Sequence, residues 1–497
     1  MVSPLPDAAQ QPDTSTPTPD SSMLPDATPA ADTGPKSTGT LQWVDHFGTN
    51  FTAFRLVTDS SGNSIVAGAY FAYTGVKLGS YTAPTTQMGD ALLVKLDPQG
   101  KVIWIKPFGG PQDDAFNAVG VDEKGDVYVA GNTVGGITIK DIIAGPARFI
   151  AKFSGTDGAP VWDHAYSGDA VGQSINLDVR GGTVAFADAF SGNLTYDTGT
   201  GKTVTATFGG IDIFLTVVDP TTGATQWTKV FGSSGDDHAA GLSVGADGSM
   251  AISDDFLGPL KGVLASPIMP TGTAFNGAIC RFDKAGNALW AKGFGDPTNL
   301  NMGINTVSFA GGRIAFGGYF TGGINFGDGQ HGTAGADDAF VAVIDDTSQN
   351  TLWSDAFGGS GIDTDYGIAL DAWNNVVATG ITLSPDFKVD GKSPPSPSPR
   401  TQALFLLKWN AAGKLLWDKT VSPTLPDGGA IPVDAGGSGA LYWVNSLDVA
   451  TAPSGNVILA GAMQAPADFG TGYQSLLSLT ADGGPGSPDW LNVGLSP

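Results

Sequence analysis

Short apolar segments alternate with turns rich in Gly and Asp through most of the chain, and an amphipathic helical period is almost absent. One clear copy has apolar segments at 115–122, 127–131 and 148–153, followed by a segment that contains Trp162. Short runs rich in Val, Ile, Phe and Trp between such turns are typical of β-strands joined as hairpins. The pattern therefore predicts an all-β protein.

The same set of segments returns with a tryptophan about every 64 residues. The tryptophans are Trp43, Trp104, Trp162, Trp227, Trp290, Trp353, Trp417 and Trp490. Four residues after the first seven stand Phe47, Phe108, Tyr166, Phe231, Phe294, Phe357 and Val421, each followed by Gly or Ser. A fixed period of this size indicates a propeller or a solenoid. We expect these aromatic residues to be structural, and sugar stacking on the tryptophans is the alternative.

Eight tryptophans enclose seven intervals, and each interval holds four apolar segments. We therefore predict a seven-bladed β-propeller of four-stranded antiparallel blades over residues 41–497. Closure into a ring removes the exposed sheet edges that an open array would present. Trp43 precedes the first full set of strands and Trp490 ends the last, so one terminal strand should complete a blade begun by the other terminus. Residues 1–40, rich in Pro, Thr, Ser and Asp, are predicted to be a disordered linker.

The repeat reads Trp-x3-Phe-Gly-Gly, then Asp-Asp-Ala, then a Val-x-Val-Ala-Gly strand, then Asp-Ala-Phe-Val before the next Trp. This resembles the bacterial SBBP-type β-propeller repeat over roughly residues 41–497. The resemblance implies a propeller of secreted or surface proteins of Gram-negative bacteria, myxobacteria included, and no fixed activity. Two copies depart from it, because 184–188 and 250–254 lack the Ala-Gly pair. We expect altered edges or loops there.

The net charge of −24 argues against nucleic acid or an anionic membrane surface as a partner. The sequence contains no run of 18 apolar residues, so it predicts no transmembrane helix. The single cysteine, Cys280, excludes an internal disulfide and is expected to be a buried strand thiol. The linker composition suggests a tether, as in a lipoprotein whose signal has been removed, and an extracellular or outer-membrane location. An ordinary cytoplasmic leader is the alternative.

Acidic residues follow the Phe-Gly step in many copies and precede the first strand of a blade. They are Asp113, Asp114, Asp169, Asp236, Asp237, Asp296, Asp363 and Asp365. If that strand lines the central channel, these carboxylates form a partial ring at one mouth. Asp363 and Asp365 have a D-x-D-x-G spacing and are the candidate metal ligands, with calcium as the possible cofactor, although the Glu of a full calcium loop is missing. The alternative is strand-start hydrogen bonding.

Asp113, Asp114, Asp236, Asp237 and His238 are the candidate binding residues at the same mouth. Catalytic motifs are largely missing: the four histidines are unpaired, and neither a nucleophile elbow nor a phosphate-binding glycine loop is present. We predict no catalytic residue. His238 is the one histidine placed to act as an acid or base if the protein is an enzyme.

Three functions follow. The preferred one is a noncatalytic, monomeric, secreted or surface propeller that binds a protein, a glycan or a cation through one face. The alternative is a carbohydrate-active lyase or hydrolase that uses carboxylates and His238 at the channel mouth. A structural spacer without a ligand is the third. Two insertions, the Pro-rich segment 391–400 and the segment 420–440, are candidate binding or lid loops, with solvated surface loops as the alternative.

Overall fold

In this computed structural model the described residues are 39–46, 51–71, 77–78, 81–82, 88–168, 175–196, 202–297, 300–392, 401–423, 444–463, 467–468, 473–474 and 489–495. The predicted linker over residues 1–40 falls almost entirely outside them. Every regular element within them is a β-strand, and no described helix is long and apolar enough to cross a membrane.

The strands are numbered in chain order. The first nineteen are β1 Leu41–His46, β2 Phe51–Thr58, β3 Ser64–Tyr70, β4 Lys77–Leu78, β5 Tyr81–Thr82, β6 Asp90–Leu96, β7 Val102–Phe108, β8 Asp114–Val121, β9 Val127–Thr133, β10 Ile137–Thr138, β11 Ile142–Ile143, β12 Ala147–Phe153, β13 Pro160–Gly168, β14 Asn176–Arg180, β15 Thr183–Phe190, β16 Asn193–Tyr196, β17 Lys202–Thr205, β18 Asp212–Val218 and β19 Thr225–Phe231. The others are β20 His238–Val244, β21 Met250–Phe256, β22 Asn276–Phe282, β23 Ala288–Phe294, β24 Asn301–Ala310, β25 Arg313–Thr321, β26 Gly323–Asn325, β27 Gln330–Gly332, β28 Asp338–Asp345, β29 Thr351–Phe357, β30 Asp363–Leu370, β31 Val376–Thr382, β32 Ala403–Trp409, β33 Leu415–Val421, β34 Val444–Thr451, β35 Val457–Met463, β36 Ala467–Asp468, β37 Tyr473–Gln474 and β38 Asp489–Leu495.

The large sheets are antiparallel and follow one another along the chain. Sheet 1 has the order β2-β3-β6-β7, sheet 2 has β8-β9-β12-β13-β16-β17, sheet 3 has β14-β15-β18-β19 and sheet 4 has β20-β21-β22-β23. Sheet 5 has the order β24-β25-β28-β29, sheet 6 has β30-β31-β32-β33 and sheet 7 has β34-β35-β38-β1. The first strands β2, β8, β14, β20, β24, β30 and β34 pack side by side around a central channel, and β34 returns to β2. This is the arrangement of a β-propeller.

The prediction of seven four-stranded blades is wrong: six blades are four-stranded, not seven, and sheet 2 has six strands. The extra strands are the hairpin β16–β17, which belongs to the connection between β15 and β18 of the neighbouring sheet. Its strand β16 pairs with the end of β13, at Ser167 with Thr195 and Gly168 with Leu194. The outermost strand β13 has 9 residues against 7 in β7 or β19, and this extra length offers the hairpin a free edge.

Closure by a terminal strand is confirmed, and the closing strand comes from the N-terminus. Strand β1 pairs with β38, with Val44 opposite Val493 and Asp45 opposite Asn492. Strand β38 in turn pairs with β35. The two ends of the repeat region therefore share one sheet, which leaves no gap in the ring of first strands.

Apolar side chains fill the space between neighbouring sheets. The cluster between sheets 3 and 4, for example, contains Leu215, Val244, Ile252 and Cys280, all buried. Similar clusters lie between the other adjacent pairs, including sheet 7 with sheet 1. Each sheet is covered on both faces, which explains why its second and third strands read as nearly continuous apolar runs. The expected burial of Cys280 is confirmed.

The repeated tryptophan links each sheet to the next one. The indole N–H of Trp104 donates to the carbonyl of Gly155 at 3.3 Å, and that of Trp290 donates to the carbonyl of Asp346 at 3.0 Å. Trp162 and Trp227 make the corresponding bonds to the carbonyls of two following turns. Glycines of those turns, such as Gly158 with φ of +68°, lie against the indole rings, where a Cβ would stand 3.1 Å from Trp104. The structural role is confirmed for the tryptophans whose side chains the structure describes, from Trp104 to Trp417, and their covered rings leave little surface for sugar stacking.

Candidate functional site

The two faces of the propeller are built differently. One face, which we call the tight-turn face, carries the short connections from first to second and from third to fourth strands. Aspartates cap many of these turns: Asp59 Oδ1 accepts the main-chain N–H groups of Ser61 and Asn63, and Asp371 Oδ1 accepts those of Trp373 and Asn375. Such turns hold their own conformation, because the side chain replaces missing main-chain partners.

The opposite face, which we call the loop face, carries the connections from second to third strands and from each fourth strand to the next first strand. These connections are longer and differ from sheet to sheet. Five of them contain the small hairpins β4–β5, β10–β11, β16–β17, β26–β27 and β36–β37. The connection between β21 and β22 spans residues 257–275 and contains an isolated antiparallel bridge between Leu260 and Ile268. Variable loops on a rigid scaffold are the usual place of binding residues.

Large apolar side chains are exposed on the loop face. The most exposed are Ile142 at 83%, Leu300 at 73% and Met269 at 66%. The others are Phe71, Met88, Val134, Leu264 and Ile362. All eight lie in the long connections or next to the strand ends that meet them. We call these eight residues the loop-face apolar set.

Exposed carboxylates accompany this set. Asp113, Asp141 and Asp236 are exposed on the same face, and Asp328 lies in the turn between β26 and β27. Exposed lysines such as Lys140 lie in the same connections, so this surface combines apolar side chains with charges of both signs.

Three of the predicted binding or metal residues occupy one repeated position, at the entry to a first strand. Asp114, Asp237 and Asp363 each accept the main-chain N–H of the residue four positions earlier, at 2.7, 2.6 and 2.9 Å. All three are buried. Strand-start hydrogen bonding is therefore what these carboxylates do, and they do not form an open ring at the channel mouth.

Each of these carboxylates lies near an aspartate that begins a third strand of the preceding sheet. Around Gly358, the position of an added Cβ is 2.4 Å from Asp338 Oδ1 and 2.7 Å from Asp363 Oδ2. Burial raises the pKa of Asp363 to about 6, and the charge of Asp338 adds to this effect. Hydrogen bonds to the carboxylate act in the opposite direction. Burial, and to a smaller extent the charge of Asp114, raises the pKa of Asp90 to about 6. The pairs explain why Gly follows Phe: no side chain fits between the carboxylates.

The remaining predicted residues are not gathered into one site. Asp113 is exposed and accepts the N–H of Gly89 at 2.8 Å. Asp236 and His238 are exposed on either side of the buried Asp237. Asp365 is fully buried, and burial raises its pKa well above the usual value. Among the described residues, no group of three or more His, Cys, Asp or Glu side chains is arranged to hold a metal ion. The metal role of Asp363 and Asp365 therefore stays a prediction.

The central channel holds a cavity of about 550 Å³, lined by the first strands and reaching the tight-turn face. Its polar side chains bond neighbouring first strands together. Asp178 accepts the N–H of Val244 at 2.7 Å, Ser243 accepts that of Phe309 at 3.0 Å, and Ser308 accepts that of Leu370 at 3.0 Å. The three acceptors lie 65 residues apart, so the period of the repeat could have indicated them in the sequence.

Most of the two insertions lies outside the described residues, which include neither 393–400 nor 424–443. The binding and lid roles suggested for them stay predictions. The same holds for Asp169, which is also outside the described part of the chain.

No protein-family model matches the sequence, and no curated protein matches it, so the SBBP resemblance also stays a prediction. Solved structures with similar folds include Kuenenia stuttgartiensis hydrazine synthase, at 11% identity and a TM-score of 0.44 over 83% of this chain and 93% of that one. The Dos1 propeller has 8% identity and a TM-score of 0.40 over 92% and 95% of the two chains. YCF48 bound to a D1 peptide has 10% identity and a TM-score of 0.40 over 95% and 99%. Likenesses this distant concern the fold alone, and the strand order itself establishes that this chain is a β-propeller.

Proposed function

We propose that this protein is a noncatalytic binding scaffold that holds a partner protein against its loop face. The observation that carries the proposal is the contrast between the faces: tight capped turns on one, and long variable connections with the loop-face apolar set on the other. An exposed apolar set of this kind on a rigid scaffold is typical of an interaction surface. The partner chemistry that fits is an apolar patch bordered by basic residues, since the chain carries a net charge of −24.

The burial of the strand-start carboxylates supports a scaffold over a glycoside hydrolase or lyase. Hydrolysis of a glycoside usually needs two carboxyl groups on either side of an open sugar site. Asp114, Asp237 and Asp363 are instead buried between sheets and bonded to main-chain N–H groups. A glycan or a cation is the alternative ligand in this proposal. We also propose that the protein is secreted or lies at the cell surface.

Site-specific photo-crosslinking in the source cells tests the proposal. A photoreactive phenylalanine at Ile142 or Met269 should join the same protein, and the same probe at Lys124 on the tight-turn face should not. The captured protein, purified, should bind the wild-type chain, and binding should weaken at least tenfold in Ile142→Asp and Met269→Asp. Binding should also weaken with added salt, because opposite charges are screened. Equal binding by both charged variants, or crosslinks only from the tight-turn face, would reject the loop face as the site.

A further inference from the structure

In two repeats the glycine of the Ala-Gly step is missing, and a buried aspartate stands where the other sheets have glycine. In the second strands, Asp188 and Asp254 stand opposite the third residue of the third strand. The same position holds Gly68, Gly131, Gly318, Gly380 and Gly461. Both aspartates are fully buried. The fold does not require a carboxylate at this position, so each one needs a compensating group of its own.

Asp188 has such a group. Arg148, the second residue of β12, donates from Nε to Asp188 Oδ2 at 2.9 Å. In the next sheet the second residue of the third strand is Ile213, so Asp254 has no arginine in the matching place. The neighbouring first residue of that strand is Asp212, which adds a carboxylate instead of a cation.

The surroundings of Asp254 are uniformly acidic. Asp212 and Asp237 are both fully buried, and Oδ1 of each has no hydrogen-bond partner among the described residues. Their Oδ2 atoms accept main-chain N–H groups, from Thr207 and Phe208 in Asp212 and from Ser233 in Asp237. Both oxygens of Asp254 also lack a well-formed hydrogen bond, although the main-chain N–H of His238 stabilises its charge in part. The other titratable groups that face the cluster are Asp236, Asp255 and the buried thiol of Cys280. The ion pairs found in the described part of the chain do not include any of these carboxylates.

Neighbouring buried carboxylates such as Asp237 and Asp254 cannot both stay ionised without a cation, and either a metal ion or protons must neutralise them. The described side chains do not form a metal-binding group at this place. Protons remain, because a protonated carboxyl is both neutral and a donor for the unpartnered oxygen of its neighbour. Two carboxylates that share a proton are a known solution to the same problem.

The cluster is joined to the loop face through Gly232. An added Cβ at Gly232 would lie 2.5 Å from Asp212 Oδ1 and 3.0 Å from Asp237 Oδ2. The main chain of Gly232 exchanges two hydrogen bonds with Lys261, at 3.0 and 2.8 Å. Lys261 lies in the connection between β21 and β22, which carries Leu264 and Met269 of the loop-face apolar set, and its own side chain is exposed. Ser233, whose N–H is donated to Asp237, also accepts the N–H of Leu257 at 3.3 Å, so a change of spacing between the carboxylates reaches this connection through Gly232 and Ser233.

We propose that Asp237 and Asp254, which lie next to Asp212, share a proton, and that this pair holds the 257–275 connection in place and loosens it as the pH rises. The part of this proposal that concerns binding rests on the proposed function, because it makes the Leu264–Met269 part of the loop face sensitive to pH. The release of protons is a direct exchange with water and needs no other reactant.

The direction follows from the raised pKa values. Burial raises the pKa of Asp237 to about 7, and the charges of Asp212 and Asp236 act in the same direction. Hydrogen bonds from Ser233 lower this pKa in part. Burial and the charge of Asp237 raise the pKa of Asp254 well above its usual value. A carboxyl whose pKa is raised in the folded state stabilises that state fully below the unfolded value near 3.8, and the stabilisation is lost as the pH rises through the folded value. The connection should thus be firm near pH 5 and loose above pH 8.

Hydrogen exchange followed by mass spectrometry on the full chain tests the cluster without any partner. After correction for intrinsic exchange, protection of residues 250–275 should fall at least tenfold between pH 5.5 and pH 8.5. In Asp254→Gly, which restores the repeat residue, and in the isosteric Asp254→Asn, protection should be the same at both values. Asp188→Gly is the matched control, because its arginine partner predicts that the pH response of residues 250–275 stays as in the wild type.

Two results would overturn the proposal. One is an unchanged pH response in both Asp254 variants, which would place the effect elsewhere. The other is full protection at pH 8.5 on addition of calcium alone, which would identify a cation and not a proton as the neutralising group. Because exchange is measured without a partner, failure of the proposed binding function would leave these outcomes readable. If the cluster responds as expected and crosslinking finds no partner, only the binding function fails.

Discussion

Replacing Asp254 by glycine should stabilise this protein, and more so as the pH rises. The substitution restores the residue that five other sheets carry at this position. It removes a fully buried carboxyl that has no hydrogen-bond partner of good geometry. Because Asp254 takes part in no ion pair with the described residues, the usual cost of leaving a buried cation without its partner does not arise.

The magnitude depends on the proton that the folded state keeps. An unfolded aspartate releases its proton near pH 3.9, and each pH unit above that value adds about 1.4 kcal/mol to the cost of keeping it protonated. Burial raises the pKa of Asp254 well above its usual value, so this cost reaches at most about 4 kcal/mol at pH 7 and about 1–2 kcal/mol at pH 5. Glycine in a strand loses roughly 0.5–1 kcal/mol through backbone entropy. The net gain is then about 3 kcal/mol at pH 7 and about 1 kcal/mol at pH 5.

Thermal unfolding at pH 5, 6 and 7 measures this gain. A propeller of about 450 residues has an unfolding entropy near 1 kcal/mol per kelvin, so the Tm should rise by about 3 °C at pH 7 and about 1 °C at pH 5. Asp188→Gly is the control, since it breaks the Arg148 pair and should not raise the Tm at pH 7. A gain that does not change with pH, or a loss of stability at every pH, would refute the reasoning.

Three further predictions test the repeat itself. Trp290→Phe should destabilise the fold by about 1 kcal/mol more than Trp353→Phe in urea unfolding, because Trp290 donates to a carbonyl while the indole N–H of Trp353, a similarly buried residue, has no hydrogen-bond partner among the described residues. Lys408→Met should cost about 3–5 kcal/mol, since Lys408 and Asp371 form a buried ion pair at 3.1 Å, and adding Asp371→Asn should restore part of the Tm. Calcium at millimolar concentration after chelator treatment should leave the Tm unchanged, because the described residues around the buried Asp363 do not form a group of three metal ligands. A rise of several degrees that Asp363→Ala abolishes would instead establish the metal site.

The sequence was sufficient to predict an all-β propeller, although not the make-up of its blades, because the repeat consists of residues that the fold requires. Trp104 and its counterparts each contact the next sheet, and Gly232 and Gly358 each fit between two carboxylates, so both residue types return at a fixed spacing. Terminal closure followed from the count of tryptophans. The six-stranded sheet did not follow, because the hairpin β16–β17 pairs across two repeats through the extra length of β13. Such a contact leaves no periodic signal.

The candidate site was harder to predict for a physical reason. Aspartates at a strand start look alike in sequence whether they face a channel or a neighbouring sheet, and Asp114 and Asp363 prove to be buried between sheets. The loop face left no motif, since its members, such as Ile142 and Leu300, share exposure and not spacing. The one indication of the loop face in the sequence is that the long and variable connections alternate with short ones. This becomes visible once each connection is assigned to a face.

Departures from a repeat are informative when the repeat itself shows what each position needs. Glycine is sufficient at the position of Asp188 and Asp254, so neither aspartate is there for folding. Asp188 is neutralised by Arg148, which comes from the preceding sheet and makes the pair a fixed link between sheets. At the place equivalent to Arg148, Asp254 has Ile213, and two more carboxylates lie nearby. The pH of the solution therefore sets the protonation state of Asp254. One repeat thus holds a permanent version of the link and its neighbour a version that pH can change, and the changeable one is the one joined to an exposed connection of the loop face.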